Sequence, residues 1–259
     1  MGRMKLLILC IFFALVIAGI AKDKILDTPQ HCIKKIKLLP DKNTIEANIF
    51  NLNKTLTYKM YLWSLIPVGE FKFTTEAQGL DVVFSFKAST QGTFIEYFVT
   101  ADARVESYFS KKSLMPHKYA ERTEVKGKIK KKEVLYDRAN LLSLQGNKKI
   151  KISNDTYDPV GAFVHMLTLP LEKGKEYHIP FMSGHDMYIF KASVLNETQG
   201  ISEVSIDMRR KNLTSSHGGH LHVWITANNR RIPLLFKSWT PIGYASVVLD
   251  RVSMNEGDK

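Results

Sequence analysis

Three histidines lie close together in the C-terminal part of the chain, in the sequence His217-Gly-Gly-His220-Leu-His222. If the last two occupy one β-strand, they point to the same face about 7 Å apart, because side chains alternate along a strand. His217 can approach them from the flexible Gly-Gly turn. Imidazoles are common Zn²⁺ ligands, so His217, His220 and His222 are a candidate metal site for a metal-dependent hydrolase. The alternative is a hairpin end that carries histidines without a metal.

Alternate lysines mark a second candidate site, in the sequence Lys126-Gly-Lys128-Ile-Lys130-Lys-Lys132. Lys126, Lys128, Lys130 and Lys132 share one parity, so on a strand they would form a row on one face. Such a row can bind phosphate or phospholipid head groups through contacts that weaken with added salt. The alternative is an edge strand whose charges prevent sheets from associating edge to edge. The pattern leaves both interpretations open.

The N-terminal segment has the pattern of a secretory signal. Residues 1–21 begin with Arg3 and Lys5, continue with the apolar stretch Leu6–Ile17, and end in Gly19-Ile20-Ala21. A small-x-small ending is typical of a site that signal peptidase cleaves. The apolar stretch is shorter than the roughly 20 residues of a membrane-spanning helix. We therefore expect cleavage near Ala21 and export to the periplasm or the exterior, with a retained anchor as the alternative.

The composition is that of a folded, basic protein. Apolar residues make up 44% of the chain and aromatic residues 10%, which excludes a disordered chain. The net charge of +12 favours anionic partners. We expect anionic lipid, glycan or an envelope protein as the partner, and no nucleic acid, because export separates the chain from most of it. No cofactor is expected, apart from Zn²⁺ in the hydrolase alternative.

Short segments in which apolar and polar residues alternate recur over residues 43–252. This pattern predicts an all-β, mainly antiparallel domain that forms a curved sheet or barrel, or two packed barrels from the halves 43–153 and 158–252. Residues 22–42 would be a leader segment and residues 253–259 a tail. Pro67-Val68-Gly69 is expected to form the turn of the first hairpin. Inward aromatic side chains would either fill a core or line a hydrophobic slot.

One segment between the two halves predicts a short helix near 159–169. Asp158 precedes Pro159, and these residue types favour the N-cap and the first helical position. The apolar residues that follow fall on one stripe of a helix. We expect this helix to pack on the sheet or to close one end of a barrel. The stripe consists of Val160, Phe163, Val164 and Leu167.

Several motifs suggest a family when they are taken in order. They are YKMYLWSLIPVGEF (58–71), ESYFSKKSLMPHKY (106–119), EVLYD (133–137), YDPVGAF (157–163), VWITANNRRIPLLF (223–236) and PIGYASVVL (241–249). In this order they resemble the exported bacterial family called domain of unknown function 3108. The resemblance implies a signal-bearing, β-rich envelope protein and supplies no catalytic residues. We therefore expect a non-enzymatic binding or assembly factor for lipid, glycan or another envelope component, with the histidine hydrolase as the alternative.

Overall fold

The computed structural model describes residues 44–50, 53–90, 92–93, 100–210, 220–240 and 243–254. These residues form one antiparallel sheet of fourteen strands and two helices. Helix α1 is Ile45–Phe50 and helix α2 is Pro159–Thr168. The strands are β1 Lys54–Leu62, β2 Ile66–Gln78, β3 Asp81–Ser89, β4 Ala101–Ser110, β5 Pro116–Val125, β6 Lys128–Asp137, β7 Leu142–Gln145, β8 Lys148–Lys151, β9 Glu176–Ser183, β10 Asp186–Thr198, β11 Ile201–Arg210, β12 His220–Thr226, β13 Pro233–Thr240 and β14 Gly243–Met254.

The sheet consists of two meanders that meet at its centre. Strands β1–β8 form the first wing and strands β9–β14 the second, and within each wing every strand pairs with the next along the chain. The wings are joined by β1 and β14, whose pairing runs from Lys54↔Met254 to Leu62↔Ala245. Strands β8 and β9 are the two edges, so the sheet does not close.

The predicted fold class is confirmed: the protein is mainly antiparallel β, with a curved sheet and a short helix at 159–168. Of the arrangements left open by the sequence, the structure has a single sheet. The idea of two packed barrels is wrong because β1 and β14 use their free sides to pair with each other. Neither half therefore keeps the free strand that it would need to close on itself.

The sheet curls around helix α2. The carboxylate of Asp158, at the start of α2, accepts a hydrogen bond from Ser107 on β4. On the other side, Tyr157 bridges Phe181 on β9. In sheet order these strands are nine steps apart, which would be roughly 43 Å in a flat sheet, whereas ten helical residues span about 15 Å. Only a strongly curved sheet can contact the same short helix from both wings.

The interior of the curved sheet is filled by aromatic side chains. Phe163 of α2 lies with its ring centroid 6.3 Å from Phe73 and 5.9 Å from Phe86 in the first wing. It also lies 5.8 Å from Phe236 of the second wing. These contacts are mostly edge-to-face, a favourable geometry for packed rings. Around Phe163 the aromatic residues therefore form a solid core and do not line a slot.

The first hairpin turns earlier than predicted. Its turn is at residues 63–65, where Trp63 and Ser64 take the left-handed φ values 52° and 58°. Pro67-Val68-Gly69 lies inside β2. A Cβ at Gly69 would lie 2.3 Å from the carbonyl oxygen of Ser89 on β3. The glycine thus permits close approach of two strands and does not form the turn.

Some elements were not predicted, and some predictions fall outside the described residues. Helix α1 and strands β7 and β8 carry too short a pattern for the sequence to reveal them. The predicted signal (1–21) and leader (22–42) lie outside the described residues. Among the helices that the structure describes, none is long and apolar enough to cross a membrane.

Candidate functional site

The predicted lysine row lies at the hairpin between β5 and β6. Lys128, Lys130 and Lys132 alternate along β6, on the same face as the buried Val134. Lys126 was predicted to belong to this row but occupies the two-residue turn, with a left-handed φ of 51°. It therefore stands at the end of the hairpin. The strand part of the row faces the concave side of the sheet.

Two acids near the row are already paired with other cations. Glu133 lies 2.9 Å from the ammonium of Lys118, and Glu124 lies 2.9 Å from the guanidinium of Arg122. The ammonium of Lys132 lies 5.3 Å above a tyrosine ring. Within the described part of the chain, the first three lysines of the row make no ion pair. Their charges are available to an external anion.

The lysine row also lies on an exposed strand edge. Strand β6 pairs with β7 only from Leu135 to Asp137. Among the described strands, the segment before Leu135 therefore has only β5 beside it. Lysines on such a segment hinder edge-to-edge association. The structure is thus consistent with both interpretations of the row, and edge protection does not prevent the same lysines from binding an anion.

The structure describes only part of the histidine cluster. His217 lies outside the described residues, and only the backbone of His220 is described, at the start of β12. The Nδ1 atom of His222 lies 2.9 Å from Glu203 Oε1 on β11, and its ring lies 6.0 Å from Trp224. Within the described ranges, no three His, Cys, Asp or Glu residues are grouped so that they could hold a metal. The site at His217, His220 and His222 stays a prediction.

An aromatic cluster with a central cation lies on the outer face of the second wing. The ammonium of Lys237 is 5.9 Å from the ring centroids of both Trp224 and Tyr244. Trp239 follows on β13, with its ring 5.9 Å from Tyr244. It is 75% exposed, an unusual state for the largest apolar side chain. This tryptophan offers a large apolar surface to a partner.

The neighbouring turn holds the aromatic cluster in place. The backbone N–H of Trp63 donates to the carbonyl oxygen of Tyr244 at 2.9 Å. The hydroxyl of Ser64 donates to the hydroxyl of Tyr244 at 3.1 Å. The left-handed turn at residues 63–65 is what brings both groups to the tyrosine. Tyr244 is therefore positioned by the first hairpin, although it belongs to the last strand.

The lysine row and the aromatic cluster lie at the same end of the sheet. In an antiparallel meander, successive turns alternate between the two ends. The β1–β2, β5–β6 and β13–β14 connections therefore share one end, and the β2–β3 and β12–β13 connections share the other. We call the first end the aromatic–basic rim and define it by Lys126, Lys128, Lys130, Trp239 and Tyr244.

A buried carboxylate fastens helix α2 to the first wing. Asp158 is fully buried, and its Oδ1 accepts the N–H of Gly161 at 2.7 Å while its Oδ2 accepts the hydroxyl of Ser107 at 2.5 Å. Burial raises the pKa of Asp158 to about 6, and these hydrogen bonds oppose the rise. Burial, together with the charge of Asp158, also raises the pKa of Tyr119 and Tyr136. Both carboxylate oxygens serve the structure, which makes this cluster an anchor.

The anchor explains part of the family resemblance. Ser107, Tyr119, Tyr136 and Asp158 belong to three of the motifs that suggested the family, with Ser107 and Tyr119 in the same one. These motifs are separated in the chain, but the fold brings these four residues together at the start of α2. These motifs therefore contain the residues that attach helix α2 to the sheet.

Sequence reasoning missed the aromatic cluster, although a signal was present. Trp239 and Tyr244 flank the segment Thr-Pro-Ile-Gly, which is typical of a hairpin end. Two aromatic residues at matching distances from a turn face each other across the strands, as Trp239↔Tyr244 do. The sequence does not show that the ring of Trp239 is exposed, because the same pattern of aromatic residues is typical of strands in a core.

These features define the class: an antiparallel β protein whose open, curved sheet wraps a central helix. The family model described as "Protein of unknown function (DUF3108)" matches residues 57–250. That range covers most of the chain, so the chain belongs to this family and the suspected family is confirmed. A comparison with curated proteins finds no match.

One solved structure supports the fold. The chain is similar to the β-barrel-like protein of domain of unknown function DUF1849 from Brucella abortus, with a TM-score of 0.54 and 7% identity over 80% of this chain and 100% of that one. A DUF1089 family protein from Pseudomonas aeruginosa gives a TM-score of 0.37 at 7% identity, over 62% of this chain and 86% of that one. A hypothetical protein from Chlamydia trachomatis gives 0.35 at 11% identity, over 85% of this chain and 96% of that one. The first of these shows the fold alone.

Proposed function

We propose that this protein is exported to the cell envelope and docks on anionic lipid through the aromatic–basic rim, as a non-enzymatic binding or assembly factor. One observation carries the proposal. Trp239 is 75% exposed beside Tyr244, at the same end of the sheet as Lys126, Lys128 and Lys130, which make no ion pair with any residue that the structure describes.

The chemistry of the rim matches that of a lipid head-group region. Tryptophan and tyrosine favour the membrane interface because their apolar rings carry one polar group each. Lysines near an anionic surface contribute about 1 kcal/mol each. The net charge, +12 for the whole chain and +10 once Arg3 and Lys5 leave with the signal, adds a long-range attraction to the same surface. Aromatic insertion and charge attraction therefore act together at this end.

A glycan is the competing partner for an exposed tryptophan. Sugars stack on aromatic rings, but neutral sugars gain nothing from unpaired lysines. Three such lysines at the same end favour an anionic partner. Salt separates the two cases, because screening weakens lysine–phosphate attraction and leaves stacking nearly unchanged.

Vesicle co-sedimentation tests the proposal. Vesicles of phosphatidylcholine that contain about 30 mol% phosphatidylglycerol are expected to bind the protein, with an affinity that falls as the salt concentration rises. The triple variant Lys126→Gln, Lys128→Gln, Lys130→Gln is expected to lose about 100-fold in affinity, since three lysines contribute about 3 kcal/mol. Vesicles of phosphatidylcholine alone are expected to bind weakly.

A matched triple variant provides the control. Lys148, Lys149 and Lys151 lie exposed on the edge strand β8, so Lys→Gln changes there remove the same charge away from the rim. This control variant is expected to bind within about threefold of the wild type. Equal losses in both triple variants would show an effect of net charge alone and refute docking through the rim. Salt-independent retention on immobilised glycan without vesicle binding would replace lipid by glycan.

Export is tested separately. The full-length chain is expressed in a Gram-negative host, and the protein recovered from the periplasm is sequenced from its N-terminus. The proposal expects a mature chain that begins at Lys22. An intact N-terminus at Met1 in the cytoplasmic fraction would contradict the proposed location.

A further inference from the structure

A small cavity lies at the end of the sheet opposite the aromatic–basic rim. It opens beside the first strand, under helix α1 and beside the connection between β12 and β13. The space between its side chains holds about one water molecule. Seven of its lining residues are apolar and three are polar: Ile49, Leu56, Phe73, Phe84, Leu167, Ile232 and Pro233, with Lys54, Thr75 and Arg231.

Lys54 is a buried cation in this cavity. Its side chain is only 4% exposed, although lysine is among the residues least often buried. Its ammonium donates one hydrogen bond, to the backbone carbonyl of Asn48 at 2.5 Å. Within the described residues, no acid forms an ion pair with it. An ammonium has three N–H donors, so the single backbone acceptor leaves it under-satisfied.

Arg231 brings a second buried cation to the same cavity. It is 8% exposed, and its Nε atom is buried without a hydrogen-bond partner among the described residues. Its backbone has a left-handed φ of 47°, which is rare for a residue with a long side chain. The structure therefore holds this guanidinium inside at a cost in free energy. Glu197 acts on Arg231 only through space and makes no ion pair with it among the described residues.

Two buried cations without an anion are a costly arrangement. Removing a charge from water is strongly unfavourable unless an opposite charge or several hydrogen bonds compensate. An anion in the cavity would accept hydrogen bonds from the Nε–H of Arg231 and from the ammonium of Lys54. The lining thus has the electrostatics of an anion site.

We propose that Lys54 and Arg231 bind a carboxylate-type oxyanion in this cavity. Arginine offers a planar fork that matches the two oxygens of a carboxylate, and lysine adds a point charge. The seven apolar lining residues favour an oxyanion that carries an alkyl chain, and the cavity has room for about one of its oxygens. The anion has two sources, the head group of a single-chain amphiphile or a free small carboxylate.

Isothermal titration calorimetry of the full-length chain distinguishes these sources. The probes are sodium decanoate below its micelle concentration, sodium acetate, and decanol as the neutral analogue. Decanoate is expected to bind, acetate to bind at least tenfold more weakly, and decanol not to bind. Equal binding of decanoate and acetate identifies the free small anion as the source. The absence of binding by both anions overturns the proposal.

Substitutions locate the binding site. Lys54→Met and Arg231→Met keep a long apolar chain and remove the charge, and each is expected to weaken decanoate binding about tenfold or more. The control is Lys59→Met on the same strand, because Lys59 is exposed and lies 3.9 Å from Asp250 on the outer face. Decanoate binding that is unchanged in Lys54→Met overturns the assignment, even if Arg231→Met fails to fold. None of these residues belongs to the rim, so vesicle binding is expected to be unchanged in all three variants.

Discussion

The two ends of the sheet hold their positive charges in opposite ways. At the aromatic–basic rim, lysines stand in water and the apolar surface of Trp239 is exposed. At the opposite end, Lys54 and Arg231 are buried among apolar side chains. Exposed lysines cost little and attract partners from a distance, whereas buried cations raise the free energy of the folded chain until an anion compensates them. Position in the fold therefore decides whether a basic residue affects association or stability.

The largest effect on stability is expected from Asp158→Ala. The change removes the N-cap and leaves the N–H of Gly161 and the hydroxyl of Ser107 buried without their acceptor. The free energy of unfolding is expected to fall by about 3 to 4 kcal/mol, measured by urea denaturation. Asp155→Ala, three residues earlier and exposed, is the control and should stay within about 0.5 kcal/mol. If both changes lowered the free energy of unfolding equally, Asp158 would not be the residue that fastens helix α2 to the sheet.

The buried carboxylate also predicts a pH dependence. Asp158 has a folded-state pKa of about 6 against the ordinary aspartate value of 3.8, so between these values the folded chain binds more protons than the unfolded chain. Stability from this group is therefore highest below about pH 4 and falls by about 3 kcal/mol as pH rises to 6, then stays level. Ser107, Tyr119, Tyr136 and Arg138 face this group.

Asp158→Asn isolates this dependence. The variant cannot titrate at this position, so the difference in unfolding free energy between wild type and variant, measured from pH 4 to pH 7, removes the contribution of all other groups. This difference is expected to change with pH and to level off above about pH 6. A difference that is constant over this range would show that the carboxyl group titrates normally in the folded chain.

A smaller effect, of opposite sign, is expected from Lys54→Met. The methionine keeps the volume of the side chain and removes an unpaired buried charge, so the free energy of unfolding is expected to rise by about 1 to 2 kcal/mol at pH 7. Burial lowers the pKa of Lys54 to about 8, so the wild type should regain this stability as pH rises from about 8 to 10. Arg231 is the other charged group in the cavity lining. A loss of stability in Lys54→Met would mean that its bond to Asn48 outweighs the cost of burying the charge.

The smallest effect on stability is expected at the rim. Trp239→Ala removes a side chain that is 75% exposed, so the free energy of unfolding should change by less than about 0.5 kcal/mol. Binding to anionic vesicles should nevertheless weaken several-fold, because the exposed ring is lost to the interface. Trp224→Phe, on the same outer face but farther from the hairpin end, is the control for both measurements. A large loss of stability in Trp239→Ala would show that this ring holds the hairpin together.

The fold was largely predictable because its signals are local. Asp158-Pro159 marks the start of α2, since capping depends on residues within one turn. The period-two alternation located most strands for the same reason. The first turn was placed wrongly because Pro67 and Gly69 are typical turn residues, whereas Trp63 and Ser64 are not. Gly69 is needed where β2 approaches β3 closely, and this packing requirement outweighs the preference of proline and glycine for turns.

The site was predictable only in part. Lys126, Lys128, Lys130 and Lys132 were recognised as a basic hairpin, and the structure adds that the nearby Glu124 and Glu133 pair with other cations. His222 pairs with Glu203 on the neighbouring strand, and this contact could not be predicted from the sequence pattern of one strand. The burial of Lys54 depends on side chains from α1, α2 and four strands, so no local sequence pattern predicts it.

The sequence by itself determined the strand-rich character, the helix that follows Asp158, and a basic hairpin. These properties depend on residues within a few positions of each other. Only the tertiary structure decided that β1 pairs with β14, that the sheet curls around α2 without closing, and that Lys54 and Arg231 share a cavity. These facts depend on pairing and burial between residues far apart in the chain, where many partners fit the same local pattern and the packing of the whole selects one.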